Sequence, residues 1–208
     1  MKNLNRIKDC FLDLKNKKKS ALVAFVTAGD PNLAISLEVI NALPNAGVDI
    51  IELGMPFSDP MADGPVIQRS YLRALKAGNS LNKTLNLVKQ FRKNNQKTPL
   101  ILMGYYNPIL QMGIKGFIKK ARSCGVDGIL IVDLPPDSNN ELDIETRKGG
   151  IDIIRLVTPT TDKVRLNSIL KVSSGFLYYV SITGITGTKI NSLEDIKKKY
   201  MNLKASIK

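Results

Sequence analysis

Apolar residues along the chain gather in short unbroken runs, separated by stretches where they recur every three or four positions. Six runs have strand length: 21–27 (ALVAFVT), 48–53 (VDIIEL), 99–103 (PLILM), 127–132 (DGILIV), 151–157 (IDIIRLV) and 176–180 (FLYYV). They are nearly continuous in Val, Ile and Leu, as expected of parallel strands covered on both faces. Helical spacing fills the segments 32–44, 65–76, 81–94, 114–123, 139–148, 162–172 and 193–200, and a helix over 4–15 precedes the first strand. Such alternation predicts an α/β fold, either an open doubly wound sheet or a closed β/α barrel.

One phrase recurs as AGVDIIELG (46–54), CGVDGILIV (124–132) and GGIDIIRLV (149–157). In each, a glycine suited to the left-handed conformation ends a helix, and Val/Ile-Asp opens a strand. The chain is thus built from similar helix-to-strand units. Two features favour the barrel. The long Gly/Pro-rich loops GMPFSDPMADGP and SITGITGTK follow strands, whereas the turns leading into strands are short. No GxGxxG follows the first strand, so a dinucleotide-binding sheet has no support. No linker or low-complexity stretch divides the chain, which reads as a single domain over 1–208.

Composition narrows the chemistry. At 208 residues and 43% hydrophobic, the chain can bury a substantial core. It has no histidine, which excludes every mechanism built on an imidazole. Cys10 and Cys124 lie far apart, so neither a thiolate metal site nor a disulfide framework is expected, and a reducing compartment, the cytoplasm, fits. No run is long enough for a membrane span, and the N-terminus lacks the apolar stretch of a signal peptide. The 31 Lys+Arg against 18 Asp+Glu give a formal charge of +13, which raises the question of a polyanionic partner. The lysine clusters at 17–19, 115–120 and 197–199 fall on helix faces or ends with few aromatics among them, so they read as solvated faces.

Acid–base work then falls to carboxylates, lysine or tyrosine. Glu52 stands near the end of the second run between Ile51 and Leu53, where partial desolvation raises its pKa toward a useful range. The alternative for Glu52 is a salt bridge to Arg155. Asp59 and Asp63 lie in a loop stiffened by Pro56, Pro60 and Pro65. Asp63, just ahead of Gly64 and Pro65, also fits an N-cap of the helix over 65–76. Asp133 is a third strand-end carboxylate or a turn residue before Pro135 and Pro136. Tyr105, Tyr106 and Tyr178 are strand-end aromatics that suit one wall of a flat apolar pocket, or the core. The small residues of SITGITGTK allow backbone N–H groups to approach an anion.

At this point the sequence resembles a family. ELGMPFSDPMADGPVIQ (52–68) is similar to the signature segment of the tryptophan synthase alpha chain, and FVTAGDP, MGYYNPIL, GVDGILIVDLP and YYVSITGITG follow the family's order and spacing. The resemblance implies a TIM (β/α)8 barrel that cleaves indole-3-glycerol phosphate to indole and glyceraldehyde 3-phosphate by retro-aldol chemistry, a step of tryptophan biosynthesis. It implies no metal or organic cofactor on this chain. It also implies a beta-chain partner in an alpha2-beta2 tetramer, with pyridoxal phosphate on the beta chain.

Carried over by motif, Glu52 is the general acid/base, and Asp63 is the carboxylate that stabilises positive charge at the indole nitrogen. Phe25, Met103, Tyr105, Leu130, Val132, Leu156 and Tyr178 fall where the family lines the indole pocket. Thr186 falls at a closing-loop threonine and Gly187 near the substrate phosphate. Asp59, Pro60, Asn107 and Pro135 lie in segments that face the beta chain. The family's last two strands and their phosphate loops have no counterpart before Lys208, so about six of eight βα units are expected, an incomplete barrel with unpaired edges. The alternative is a truncated, inactive remnant that still binds a beta chain.

Overall fold

The computed structural model describes residues 5–136, 140–180 and 193–207. Its strands are β1 (Val23–Thr27), β2 (Ile50–Gly54), β3 (Leu100–Gly104), β4 (Gly128–Ile131), β5 (Asp152–Val157) and β6 (Leu177–Tyr179). Its helices are α1 (Arg6–Asn16), α2 (Leu33–Ala42), α3 (Pro65–Lys76), α4 (Leu81–Asn94), α5 (Tyr106–Met112), α6 (Ile114–Cys124), α7 (Asn140–Gly149), α8 (Lys163–Val172) and α9 (Leu193–Ser206). All six expected strands form, and α3 and α4 have the expected bounds. The apolar pattern did not show α5. It begins directly after β3, and Pro108 sits in its first turn, where a missing N–H breaks no helical bond. Its first N–H, at Tyr106, donates to Asp133 Oδ1 at 2.9 Å, so Asp133 serves the helix start rather than the turn before Pro135.

The strands pair in parallel in the order β1-β2-β3-β4-β5-β6. An order without reversal puts every right-handed crossover on the same face of the sheet. Helices therefore cover one face and the other turns inward, as in a barrel wall; a doubly wound sheet would show a switch point. Side chains divide accordingly. Ile51, Leu53, Leu100, Leu102, Ile129 and Ile131 pack outward in one core with Leu85, Val88 and Phe91 of α4 and Phe117 of α6. Ile50, Ile101, Leu130 and Ile154 face inward in a second cluster, which Ile7 of α1 joins. A Cβ at Gly128 would lie 2.6 Å from Ile154 and 3.2 Å from Ile7, so that strand start leaves room for the α1 side chain.

The recurring phrase has a structural meaning. Gly47, Gly125 and Gly150 all have positive φ, at 95°, 90° and 63°, and release the chain from a helix into a strand. Two of the aspartates that follow bind across to the preceding strand. Asp49 accepts from the N–H of Leu22, and Asp127 from that of Leu100, each at 2.8 Å. Asp127 also holds Arg6 at 2.8 Å and Arg92 at 2.6 Å. Arg92 in turn donates to the carbonyls of Gly125 and Thr98. The lysines at 17, 18, 19, 115 and 119 are exposed, in line with solvated helix faces. No helix among the described residues is long and apolar enough to cross a membrane.

This buried charge cluster anchors α1 and α4 to the sheet. Asp127→Ala would leave the buried guanidinium of Arg92, the partly buried one of Arg6 and one buried N–H without their acceptor. It should cost about 3–5 kcal/mol of unfolding free energy, read from urea denaturation. A loss under about 1 kcal/mol would show that the cluster is not an anchor.

Candidate active site

Inward-facing residues near the C-terminal ends of the strands carry the candidate chemistry. Glu52 lies two residues before the end of β2 and pairs in register with Phe25 of β1 and Ile101 of β3. It is only 3% exposed, and its Oε1 has no hydrogen-bond partner. Burial alone pushes its carboxyl up from the ordinary 4.5 to about 7.

The alternative bridge from Glu52 to Arg155 does not form. Strand parity forbids it: Ile154 and Leu156 face inward with Glu52, so Arg155 between them faces the helices. There it pairs with Asp143 of α7 at 2.5 Å and donates to the carbonyl of Leu134.

Asp63 occupies the loop between β2 and α3. It does not cap α3; the N-cap is Gly64, without a side-chain bond. The sequence spacing was right for a cap, but the carboxylate is taken by a residue distant in the chain. Tyr105 donates its hydroxyl proton to Asp63 Oδ2 at 2.7 Å, and the tyrosine oxygen accepts from the N–H of Ala62 at 2.9 Å. Phe57 packs on the Tyr105 ring at 5.2 Å between centroids. Burial raises the Asp63 carboxyl, and the Tyr105 bond opposes that rise. Burial raises both acids, and they differ in that Glu52 is bare whereas Asp63 is held by a donor.

The apolar wall assembles from the other strands. Leu130 is in the inward cluster, and Met103, Val132, Leu156 and Tyr178 pack against it. Phe25 reaches over Gly54, where a Cβ would meet its ring at 2.7 Å. Burial raises the Tyr178 hydroxyl, and the Glu52 charge adds to it, which places this tyrosine within electrostatic range of Glu52. Tyr106 is not part of this wall, since it starts α5. Thr186 and Gly187 lie outside the described residues. Asp59 and Pro135 are exposed on the loops after β2 and β4, Asn107 is exposed in the first turn of α5, and Pro60 is half-buried.

One residue was not legible as part of the site. Tyr71 of α3 is fully buried, and its hydroxyl has no partner. Burial raises its pKa most, with the charges of Asp63, Tyr105 and Glu52 adding to the rise, and its oxygen lies 3.1 Å from a Cβ position at Gly54, the end of β2. Its spacing in the helix signals burial only.

Comparison with known proteins gives a consistent picture. Residues 11–207 match the family described as "Tryptophan synthase alpha chain". The fold matches tryptophan synthase subunit alpha from Legionella pneumophila str. Paris with a TM-score of 0.91 at 41% identity, covering 98% of this chain and 75% of that one. A structure of the tryptophan synthase a2b2 complex from Pyrococcus furiosus matches with a TM-score of 0.81 at 40% identity, over 89% of this chain and 74% of that one. The aminoacrylate-bound tryptophan synthase from M. tuberculosis matches with a TM-score of 0.86 at 28% identity, over 98% of this chain and 77% of that one.

The bare carboxyl has a consequence for folding. Between pH 4.5 and about 7 the folded chain keeps a proton on Glu52 that the unfolded chain has released. Stability therefore falls as pH rises through this window, by about 3 kcal/mol in all, and the loss is complete above it. Glu52→Gln should flatten this part of the profile and stabilise the chain at pH 8, as read from urea unfolding at pH 5 and pH 8. Equal pH profiles for the two proteins would show that Glu52 is not desolvated.

Proposed function

From the premise that this chain belongs to the tryptophan synthase alpha chain family, we propose that it cleaves indole-3-glycerol phosphate to indole and glyceraldehyde 3-phosphate. The observation that carries the reading is the contrast between two acids at one end of the sheet. Glu52 is bare and titrates near neutrality, and Asp63 is held by a hydroxyl donor that favours its anion. Acids set apart in this way divide the roles of proton donor and fixed negative charge.

The reaction needs both roles. Indole is a poor leaving group as a carbanion, so its ring must first become an electron sink. Glu52, entering protonated, delivers its proton to ring carbon C3. Asp63 stabilises the positive charge that develops at the ring nitrogen. The Glu52 carboxylate then removes the proton of the side-chain hydroxyl next to the ring, and the carbon–carbon bond breaks. Phe25, Met103, Leu130, Val132, Leu156 and Tyr178 offer the flat ring an apolar wall. The bare Glu52 beside an apolar wall supports catalysis over an inactive remnant.

The segments after β2, β3 and β4 that carry Asp59, Pro60, Asn107 and Pro135 are our choice for the beta-chain contact, in an alpha2-beta2 assembly that works in the cytoplasm. Pyridoxal phosphate belongs to the beta chain in this reading, and the steps above use only side chains of the alpha chain.

Glu52→Gln should lower kcat for indole release by roughly 10²–10⁴-fold with little change in KM, and Asp63→Asn should be similarly impaired. For the unsubstituted chain with its beta partner, kcat/KM should fall as pH rises through about 7, because the first step consumes the Glu52 proton. Wild-type turnover that survives Glu52→Gln would refute the assignment.

A further inference from the structure

Two buried polar atoms at this site lack partners, Glu52 Oε1 and the Tyr71 hydroxyl. The mechanism above uses only the first. Tyr71 comes from α3, and its oxygen lies 3.1 Å from where a Cβ at Gly54 would stand. Gly54 is two residues beyond Glu52 on the same strand, so that Cβ position faces the same way as the Glu52 side chain. The preceding residue, Ser70, bonds the Thr27 hydroxyl at 2.6 Å, which pins this turn of α3 to the end of β1. The Tyr71 hydroxyl is therefore held at the end of β2 on the face that carries Glu52, and burial, with the charges of both acids, favours its protonated form.

The two orphan atoms do not bond each other. Once Glu52 has given its proton to the ring, a group that satisfies both must donate to its carboxylate and accept from the tyrosine. A hydroxyl does both; a ketone, an ether or a fully ionised phosphate oxygen cannot donate. Resting on the function proposed above, we propose that Tyr71 donates a hydrogen bond to the substrate hydroxyl whose proton Glu52 removes. That oxygen leaves as the aldehyde oxygen of the product. In this step the hydroxyl proton passes to Glu52 and the O–H electron pair becomes the carbonyl π bond. The carbon–carbon bond breaks, and its electron pair returns to the protonated indole ring. Tyr71 stabilises charge building on the oxygen and, in the reverse direction, polarises the aldehyde toward attack. The hydroxyl requirement makes the pocket selective for a side chain hydroxylated next to the ring.

The test is Tyr71→Phe, which removes a single oxygen, assayed in the complex with the beta chain beside the wild type. Forward kcat should fall roughly 10–100-fold. In the reverse condensation the KM for glyceraldehyde 3-phosphate should rise while that for indole is unchanged. Affinity for an indolyl-alkyl phosphate lacking the side-chain hydroxyls should stay within about twofold of wild type, because the lost bond is absent from that ligand. The melting temperature should hold or rise slightly, since the oxygen removed has no partner in the resting protein.

A wild-type kcat in Tyr71→Phe, with an active wild type, would overturn the tyrosine's role and leave the function standing. So would a parallel loss of affinity for the deoxy ligand or a melting temperature several degrees lower, since either marks a scaffold residue. An inactive wild type would overturn the function itself and this inference with it.

Discussion

The arrangement depends on one carboxyl group buried without a hydrogen-bond partner on one oxygen. Taking an ionised carboxylate out of water costs several kcal/mol unless it is paired. At Glu52 the protein does not pair it, and the group answers by holding its proton to about pH 7. That response is what makes it an acid of useful strength. A salt bridge to Arg155 would have removed the strain and the chemistry together. Strand alternation prevents that bridge without any special device, because it sends Arg155 to the opposite face of the sheet, where Asp143 meets it.

The same residue classes behave in the opposite way at the other end of the strands. Asp127, beside the start of β4, is as deeply buried as Glu52 but receives two guanidinium groups and a backbone N–H. There the charges are satisfied and hold α1, α4 and the sheet together. Near the strand ends that follow Glu52, orphan atoms remain at Glu52 and Tyr71. Buried polar groups are normally satisfied; Asp143 Oδ2, Arg155 Nε and the Tyr179 hydroxyl also lack partners, but only the Glu52 and Tyr71 orphans flank the inward face of β2 at its end. The satisfied charges lie at one end of the barrel wall and the two orphan atoms at the other, a division that barrels of this kind allow between stability and active site.

Much of this was legible in the sequence, for identifiable reasons. Continuous apolar runs mark strands covered on both faces, so all six were found. The Gly-Val/Ile-Asp phrase marks where helices end, because Gly47, Gly125 and Gly150 adopt the left-handed conformation. Glu52 stood out because a charge inside an apolar run has to be either paired or functional. What failed was whatever depends on partners distant in the chain. Asp63 had the spacing of a cap, and only the fold brings Tyr105 to it. Asp133 resembled a turn residue until β3 and β4 lay side by side and its carboxylate met the first N–H of α5. The helix α5 itself was hidden because Tyr-Asn-Pro reads as a loop. Tyr71 sat on the buried face of its helix like any core aromatic. Its missing hydrogen-bond partner is a tertiary fact with no local pattern.

Gly54 ties packing to chemistry at this mouth. A Cβ there would collide with the Phe25 ring and crowd the Tyr71 hydroxyl. A glycine within a strand ordinarily weakens it, by roughly 0.5–1 kcal/mol relative to alanine in a regular element, and Gly54 is the last residue of β2. Here the absent side chain lets β1, β2 and α3 each bring a group to the same spot: an apolar wall from Phe25, an acid from Glu52 two residues earlier, and a hydroxyl from Tyr71. A larger residue would restore local strand propensity while moving the ring or the phenol. The cost of the glycine and the cost of the bare carboxyl therefore have one origin, since both keep space and polarity open beside the same strand end.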